Sequence, residues 1–377
     1  MSVLGIGIIG CGNISDAYLR LAPLFAGLEM RAVADINMDA AKAKAEVYGV
    51  DARSVEGLLA SDDIDVVVNL TIPAVHYAVT KQVLEAGKHA YSEKPLVLSL
   101  EEGEDLRAIA DGAGLRVGSA PDTFLGGAHQ QARRIIDDGG IGRVVTGTAH
   151  VMSRGMEHWH PNPDFFFQPG AGPMLDVGPY YVTNLIQLLG PVETVMAAAT
   201  SASDTRTILS EPRRGEKIPV DTPTTIHAIL TFASGAVITL GTSWDVRAHR
   251  HANMELYGSE GSLFVPDPNF FGGELIQSDA EGETSVVTPW DHPFGVANED
   301  SGNEPPRANY RMAGLADMAA AISEGRPHRC SLELAIHSVE VMTGALISAE
   351  RGAPIEMTTS CDRPAALAPA DAQALLT

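Results

Sequence analysis

The chain has 377 residues, 45% of them hydrophobic and 20% charged, which is the composition of a globular protein long enough for two domains. Its formal net charge of −22 excludes nucleic acid and anionic membranes as expected partners, because both would repel it. The three cysteines lie far apart and indicate neither a disulfide framework nor a zinc site. The sequence shows no membrane-spanning apolar run and no signal peptide, so we expect a cytoplasmic protein.

Strand and helix patterns alternate along the first part of the chain. Apolar runs predict strands at 3–10, 30–35, 64–70, 88–93 and 115–120. The stretches between them predict helices at 14–26, 40–48, 75–86 and 99–114. This alternation predicts an α/β protein that begins with a Rossmann domain at 1–121, built on a doubly wound parallel sheet.

Longer, alternating strands follow after residue 121. One more helix is predicted at 122–139, then strands at 142–153, 193–203, 224–233, 236–246 and 252–258, and late helices at 308–324 and 332–350. The region 122–351 is therefore predicted to be a C-terminal α+β domain with a large, mainly antiparallel open sheet, which would bind substrate and form oligomers. A loosely held C-terminal tail is expected at 352–377.

A glycine turn follows the first strand and opens the first helix. Gly10 and Gly12 allow a tight turn, and the backbone at Asn13 and Ile14 begins a helix whose amides would stabilise a pyrophosphate. Asp35 ends the second strand, where a carboxylate accepts the hydroxyls of an adenosine ribose and repels a 2′-phosphate. The pattern therefore predicts NAD, with NADP disfavoured. The alternatives are an ordinary glycine-rich turn and a solvated aspartate.

The strand 64–70 leads into a second candidate cofactor loop. Thr71, Pro73 and His76 lie at the carboxyl end of this strand, where open α/β sheets bind ligands. Thr71 is expected to contact the cofactor and Pro73 to fix the loop. The alternative for His76 is an ordinary residue at a helix N-terminus.

Glu93 and Lys94 precede a proline at the end of the strand 88–93, so they belong to the same edge of the sheet. Together with the segments GCGNIS at 10–15 and TIPAVH at 71–76, this motif makes nearly the whole chain resemble the Gfo/Idh/MocA oxidoreductase family. The resemblance implies a Rossmann domain, a second domain whose sheet often mediates oligomers, and NAD(P)-dependent chemistry on sugars, polyols and related alcohols. It also implies a homodimer or homotetramer that assembles through the C-terminal sheet, and Glu93 and Lys94 as cofactor contacts.

The resemblance implies a second catalytic segment at 170–186, with Asp176 and Tyr180. Their spacing of four residues predicts that both project from one helix face. Many family members have histidine where this chain has Tyr180, and the tyrosine resembles the glucose-fructose oxidoreductase and dihydrodiol dehydrogenase branches. A phenol ordinarily ionises near pH 10, so the ammonium of Lys94 would be needed to favour the phenolate. Tyr180 is then the expected acid/base, Lys94 the group that stabilises the reacting oxygen, and Asp176 an orienting residue.

The candidate substrate pocket is a loop rich in histidine and aromatic residues at 150–168. Trp159 could stack on a sugar ring, while His158 and His160 could hydrogen-bond its hydroxyls; a metal site at these histidines is disfavoured, because no further ligand pattern appears. Asp122 and Thr123 are further expected substrate contacts by resemblance. The alternative is that the phenylalanines of this loop belong to the core and its histidines line a lid.

The preferred hypothesis is an NAD-dependent dehydrogenase that oxidises a secondary hydroxyl of a sugar, polyol or related cyclic alcohol by hydride transfer. One alternative is an NADPH-dependent reductase of a keto-sugar or diketone. Another is a non-catalytic NAD-binding regulator, which the presence of both Lys94 and Tyr180 disfavours.

Overall fold

The computed structural model describes residues 3–300, 302 and 306–377. The chain forms two compact units, each assembled from more than one segment. The first unit comprises Met1–Gly127, Asp291–Val339 and Pro364–Thr377, and the second comprises Ala128–Trp290 and Glu340–Arg363. The domains predicted from the sequence are contiguous segments instead, so their boundaries remain a prediction.

The first unit contains a six-stranded, entirely parallel sheet in the order β3-β2-β1-β4-β5-β6. Its strands are β1 Leu4–Ile9, β2 Leu28–Ala34, β3 Asp51–Arg53, β4 Val66–Asn69, β5 His89–Ser92 and β6 Val117–Ser119. Its first five helices are α1 Asn13–Leu21, α2 Met38–Tyr48, α3 Val55–Leu59, α4 Pro73–Glu85 and α5 Leu100–Ala113. This strand order is the Rossmann order, which confirms the fold predicted for the N-terminal domain.

The last residues of four strands pair with one another across this sheet. Ile9 pairs with Ala34 on one side and with Asn69 on the other, and Asn69 pairs with Ser92. The residues that follow therefore leave the sheet at one level. This register positions the glycine turn, Asp35, the 71–76 loop and the Lys94 loop at one edge.

The second unit is built on a nine-stranded sheet in the order β16-β15-β14-β13-β7-β12-β11-β8-β17, in which only β7 and β12 pair in parallel. Its helices are α6 Gly127–Asp137, α7 Gly172–Asp176 and α8 Gly178–Leu189. Its strands are β7 Val144–Met152, β8 Val192–Thr200, β9 Thr205–Thr207, β10 Lys217–Pro219, β11 Thr225–Phe232, β12 Val237–Ser243, β13 Met254–Gly258, β14 Ser262–Val265, β15 Ile276–Ser278 and β16 Thr284–Val286. The predicted large, mainly antiparallel sheet is thus confirmed, and β9 and β10 form a separate ribbon.

The end of the chain passes through both units as α9 Ala313–Glu324, α10 Leu332–Arg351, β17 Ile355–Glu356 and α11 Pro369–Ala374. The sequence assigns the helix 308–324 to the second domain, but α9 lies in the first unit. The backbone N–H of Gly314 in α9 donates to Asp122 at 3.1 Å. That contact joins positions 192 residues apart, a separation that no local pattern reveals.

The expectation of a loosely held tail is wrong. Leu367 and Leu375 are buried, and Leu376 forms a backbone bridge with Phe25 in the first unit. The helix α10 is long and apolar enough to cross a membrane by length and composition, yet 67% of its apolar window is buried inside the protein. Such burial is typical of a core helix of a folded domain.

Candidate active site

The glycine turn at 10–12 has two glycines with different structural roles. Gly10 has a φ of +106°, and a Cβ there would lie 2.6 Å from the backbone of Leu70, so this position admits no side chain. Gly12 precedes α1, and a Cβ there would meet nothing within 4 Å. Among the described residues, no side chain caps the start of α1 at Asn13 and Ile14. This open, uncapped helix start fits the pyrophosphate of a dinucleotide.

Asp35 is fixed at the end of β2 by backbone amides. Its Oδ2 accepts from the N–H of Cys11 at 2.8 Å, and its Oδ1 accepts from the N–H of Asn37 at 2.8 Å. The carboxylate is thus fastened to the glycine turn itself. Ile36, the next residue, is fully exposed. Asp35 therefore stands where the adenosine ribose of a cofactor in the turn would lie.

The loop after β4 is ordered by polar contacts of its own. The Thr71 hydroxyl donates to Oδ1 of Asn69 at 2.6 Å, and the Thr71 N–H lies 3.2 Å from the same oxygen. Pro73 is the first residue of α4, a position that suits proline because the first helical N–H has no partner within the helix. His76 lies one turn further along α4 and is only 1% exposed. The predicted loop at the sheet edge therefore exists, but the His76 ring is turned into the interior.

The backbone of Lys94 is fixed by the residues on both sides of it. Oε2 of Glu93 accepts from the Lys94 backbone N–H at 3.0 Å, and Oε1 accepts from the hydroxyl of Tyr18 at 3.0 Å. The Lys94–Pro95 peptide bond is cis. Tyr18 is a buried residue of α1 that no sequence motif indicates; its only signal is a hydroxyl at an apolar position of that helix. Burial and the Glu93 charge raise the pKa of Tyr18 well above its ordinary value, so it stays a proton donor to Glu93.

Asp122 and Thr123 are each only 2% exposed. Asp122 accepts the N–H of Gly314, and burial raises the pKa of its carboxyl to about 6. Thr123 begins a short 3₁₀ helix, Thr123–Leu125. The structure thus gives Asp122 a partner inside the first unit, and the substrate contacts expected of both residues remain a prediction.

Asp176 and Tyr180 do not share one helix, which corrects the sequence-based expectation. Asp176 is the last residue of α7, and Tyr180 lies in the first turn of α8, with Val177 between the two helices. The break has a physical cause: Pro179 has no N–H to continue the hydrogen-bond pattern, and its ring opposes an unbroken helix. Both side chains are partly exposed. They belong to the second unit and Lys94 to the first, so their convergence on one substrate remains a prediction.

The aromatic loop before α7 combines packed and exposed groups. Trp159 is 57% exposed and meets His160 edge-on with ring centroids 5.3 Å apart. Nδ1 of His158 is buried and has no hydrogen-bond partner within the part of the chain that the structure describes. Phe167 is packed in a core cluster around Trp244, as the alternative interpretation of this loop expects. Trp159 and His158 therefore have capacity left for a ligand, and so do Nδ1 of His150 and Oε2 of Glu157, which find no hydrogen-bond partner among the described residues.

Asp164, a further acidic group of this loop, is engaged by an arginine. Oδ1 of Asp164 accepts from Nη2 of Arg213 at 3.1 Å, and Oδ2 is bonded to Nη1 of the same guanidinium. This hydrogen-bonded pair lowers the pKa of Asp164. The carboxylate therefore anchors the loop. Within residues 3–300, 302 and 306–377, no group of three or more histidine, cysteine or acidic side chains is placed to hold a metal ion.

The Rossmann sheet, the open glycine turn and the fixed Asp35 define a dinucleotide-binding domain. Residues 4–120 match the family described as "Oxidoreductase family, NAD-binding Rossmann fold". Residues 129–264 match the "GFO/IDH/MocA C-terminal domain". The chain belongs to the Gfo/Idh/MocA oxidoreductase family.

Several relatives extend this similarity. The dTDP-3,4-didehydro-2,6-dideoxy-alpha-D-glucose 3-reductase of Actinomadura kijaniata is 30% identical over 273 residues, 69% of this chain and 74% of that protein. Levoglucosan dehydrogenase of Pseudarthrobacter phenanthrenivorans is 26% identical over 326 residues, 78% of this chain and 83% of that protein. An uncharacterized oxidoreductase of Schizosaccharomyces pombe is 28% identical, over 45% of this chain and 48% of its own length.

A solved structure of similar fold covers both halves of the chain. The crystal structure of an NAD binding oxidoreductase from Klebsiella pneumoniae has a TM-score of 0.81 and 21% sequence identity, and it covers 96% of this chain and 100% of its own. At this identity the similarity shows the fold.

Proposed function

We propose that the protein is an NAD-dependent dehydrogenase that oxidises a secondary hydroxyl of a sugar, polyol or related cyclic alcohol. The observation that carries the proposal is the edge of the first unit's sheet. There the open helix start at Gly12, the fastened Asp35 and the Lys94 loop all leave the sheet at one level. Levoglucosan dehydrogenase among the relatives supports an alcohol of carbohydrate type as substrate.

The proposed chemistry assigns one role to each side chain. Bound NAD⁺ supplies the hydride acceptor. Lys94 donates a hydrogen bond to the substrate oxygen and stabilises the negative charge that develops on it. Tyr180 takes the hydroxyl proton, as in the branch of the family that has tyrosine in place of histidine. Asp176 orients the substrate or the lysine, and His158 and Trp159 contact the ring of the sugar.

A steady-state assay with NAD⁺ and a panel of sugars, anhydrosugars and inositols tests this function. Lys94→Ala and Tyr180→Phe should each lower kcat by about a hundredfold or more, the usual contribution of acid–base catalysis, with NAD⁺ binding retained in Tyr180→Phe. Tyr181→Phe is the matched control. Its buried hydroxyl receives a hydrogen bond from Asn253 and donates one to Asp267, so its loss should change stability and leave kcat near wild type. Near-wild-type turnover in both Lys94→Ala and Tyr180→Phe would exclude the scheme.

A second candidate is the reverse reaction on a keto-sugar, because the relative at 30% identity is a 3-reductase of a dideoxy keto-sugar. Tyr180 then donates the proton. The same enzyme preparation, assayed with NADH or NADPH and keto-sugars, separates the two directions by their kcat/KM values. Tight NAD binding with no turnover in either direction would favour a non-catalytic regulator.

We also propose that two copies of the chain associate through the open face of the nine-stranded sheet. Met196 and Ile229 are paired across β8 and β11, so they share a face, and they are 52% and 47% exposed. Burial of such neighbouring apolar groups stabilises an interface between copies. Ile229→Glu should shift a homodimer or homotetramer toward monomer in light scattering, and an unchanged mass would argue against this face.

A further inference from the structure

The proposed chemistry does not account for the contacts of the buried side chain of His76. Its ring lies inside the first unit with 1% of the residue exposed. Nδ1 is 2.7 Å from the carbonyl oxygen of Pro95, and Nε2 is 2.9 Å from the carbonyl oxygen of Thr71. One ring therefore touches the backbone of the lysine loop and the backbone of the cofactor loop. These loops follow two neighbouring strands, β4 and β5.

Both partners of the ring are backbone carbonyls, which only accept hydrogen bonds. A neutral imidazole has one N–H and can donate to one of them, while the other nitrogen would face an oxygen with its lone pair. The ring satisfies both carbonyls when each nitrogen carries a hydrogen. The charged groups that face it are the Glu93 carboxylate and the Lys94 ammonium. Burial is the largest influence and lowers the pKa of His76 below its ordinary value, so the doubly protonated ring forms only at acidic pH. The two carbonyls and Glu93 oppose this effect without reversing it, and Lys94 adds to it.

We propose that His76 is a positioning residue that ties the Thr71 loop to the Lys94–Pro95 loop, with a different ring nitrogen serving each. Nδ1 fixes Pro95 and thereby the backbone from which Lys94 projects. Nε2 fixes the carbonyl of Thr71 and thereby the loop expected to contact the cofactor. This inference rests on the proposed function only for the role of Lys94, because the tie itself is a property of the first unit.

The hydrogen bonds of the two ring nitrogens can be removed separately by substitution. The amide nitrogen of asparagine is as many bonds from the backbone as Nδ1, and that of glutamine is as many as Nε2. His76→Asn should therefore keep the hydrogen bond to Pro95 and lose the one to Thr71, while His76→Gln does the reverse. A control for the loss of an imidazole is His89→Asn, because Nδ1 of His89 only accepts from the N–H of Arg116 and an asparagine oxygen can replace it.

Hydrogen–deuterium exchange and NAD⁺ titration calorimetry test the tie without any turnover. In His76→Asn, exchange should rise about tenfold in a peptide covering 70–76 and stay unchanged in one covering 92–98, with NAD⁺ affinity lowered about tenfold, the effect of roughly one hydrogen bond. In His76→Gln the exchange pattern should be reversed, with NAD⁺ affinity retained. His89→Asn should leave both peptides and the NAD⁺ affinity unchanged.

The kinetics should divide in the same way. His76→Gln should lower kcat about tenfold at an unchanged KM for NAD⁺, and His76→Asn should raise that KM at an unchanged kcat. Because the pKa of His76 is lowered, wild-type kcat/KM should also show one ionisation below about pH 6.5, the ordinary range of histidine, that both variants lack.

Equal effects of the two variants on both loops, or no effect on either, would overturn the proposal, as would identical pH profiles in all three proteins. If the exchange split is found but the wild type turns over no alcohol or keto-sugar, the tie is supported and the proposed function alone is refuted.

Discussion

Asp122→Asn tests whether the buried carboxylate of Asp122 destabilises the folded protein at neutral pH. The residue is 2% exposed and accepts the N–H of Gly314, a contact that an asparagine oxygen also makes. Burial is the main cause that raises the pKa of this carboxyl to about 6, while the Gly314 N–H and Arg311 lower it and Glu93 raises it further. An unfolded aspartate titrates near 3.9.

The sign of the effect follows from these two values. Between about pH 4 and 6 the unfolded chain releases the proton and the folded chain keeps it, so the free energy of unfolding falls as the pH rises. Each pKa unit corresponds to roughly 1.4 kcal/mol, so the loss reaches about 3 kcal/mol above pH 7. Asp122→Asn removes the titrating group. The free energy of unfolding of Asp122→Asn minus that of wild type should therefore be about 3 kcal/mol larger at pH 8 than at pH 4.

The assay is urea unfolding at pH 4, 6 and 8, followed by circular dichroism. Tryptophan fluorescence would report on the wrong part of the chain, since Trp159, Trp244 and Trp290 all lie in the second unit. Asp39→Asn is the control, because this side chain is 92% exposed, and it should change the pH dependence little. A difference between wild type and Asp122→Asn that does not grow with pH would refute the reasoning. A raised KM for the alcohol at unchanged stability would favour the substrate contact expected from the sequence.

Three further predictions concern the first unit. Asp35→Ser should raise NADP⁺ affinity relative to NAD⁺ by about tenfold or more, because it removes a charge that repels the 2′-phosphate; an unchanged ratio in calorimetry would contradict this. Tyr18→Phe removes the hydrogen bond that the Tyr18 hydroxyl donates to the charged Glu93, so the free energy of unfolding should fall by roughly 1.5–3 kcal/mol and kcat should fall with it. A variant that keeps both values would show that Tyr18 does not support the lysine loop. Asp317→Asn breaks a buried ion pair with Arg329, so the free energy of unfolding measured in urea should fall by about 3–5 kcal/mol while kcat of the folded enzyme is preserved. A decrease below about 1 kcal/mol would show that the pair adds little to stability.

Much of the first unit could be predicted because its signals are local. The glycine turn, the acid at the end of β2 and the Lys94 motif each sit within a few residues of a strand end, and parallel strands bring such ends to one edge. The short elements β3 and α3 were missed, because three and five residues are too few for a periodic pattern. In the second unit the long strands were predicted and the short strands β9, β10 and β14 to β17 were not, for the same reason.

The helix break beside Asp176 could have been predicted but was not. The spacing of four residues between Asp176 and Tyr180 suggested one helix, whereas Pro179 interrupts the hydrogen-bond pattern and lies in the first turn of α8. The assignment of α9 to the first unit was different in kind. Its contact with Asp122 joins distant parts of the chain, and its own sequence is equally compatible with either unit.

By itself, the sequence determined the family, the Rossmann order of the first sheet and the identity of the candidate residues at its edge, because these depend on strand ends and on motifs a few residues long. Only the tertiary structure decided what holds those residues. Glu93 receives its hydrogen bond from Tyr18, 75 residues earlier, and His76 meets carbonyls on two loops. Such contacts depend on how buried helices pack against strand ends, and a periodic pattern indicates that a side chain is buried without indicating what it touches.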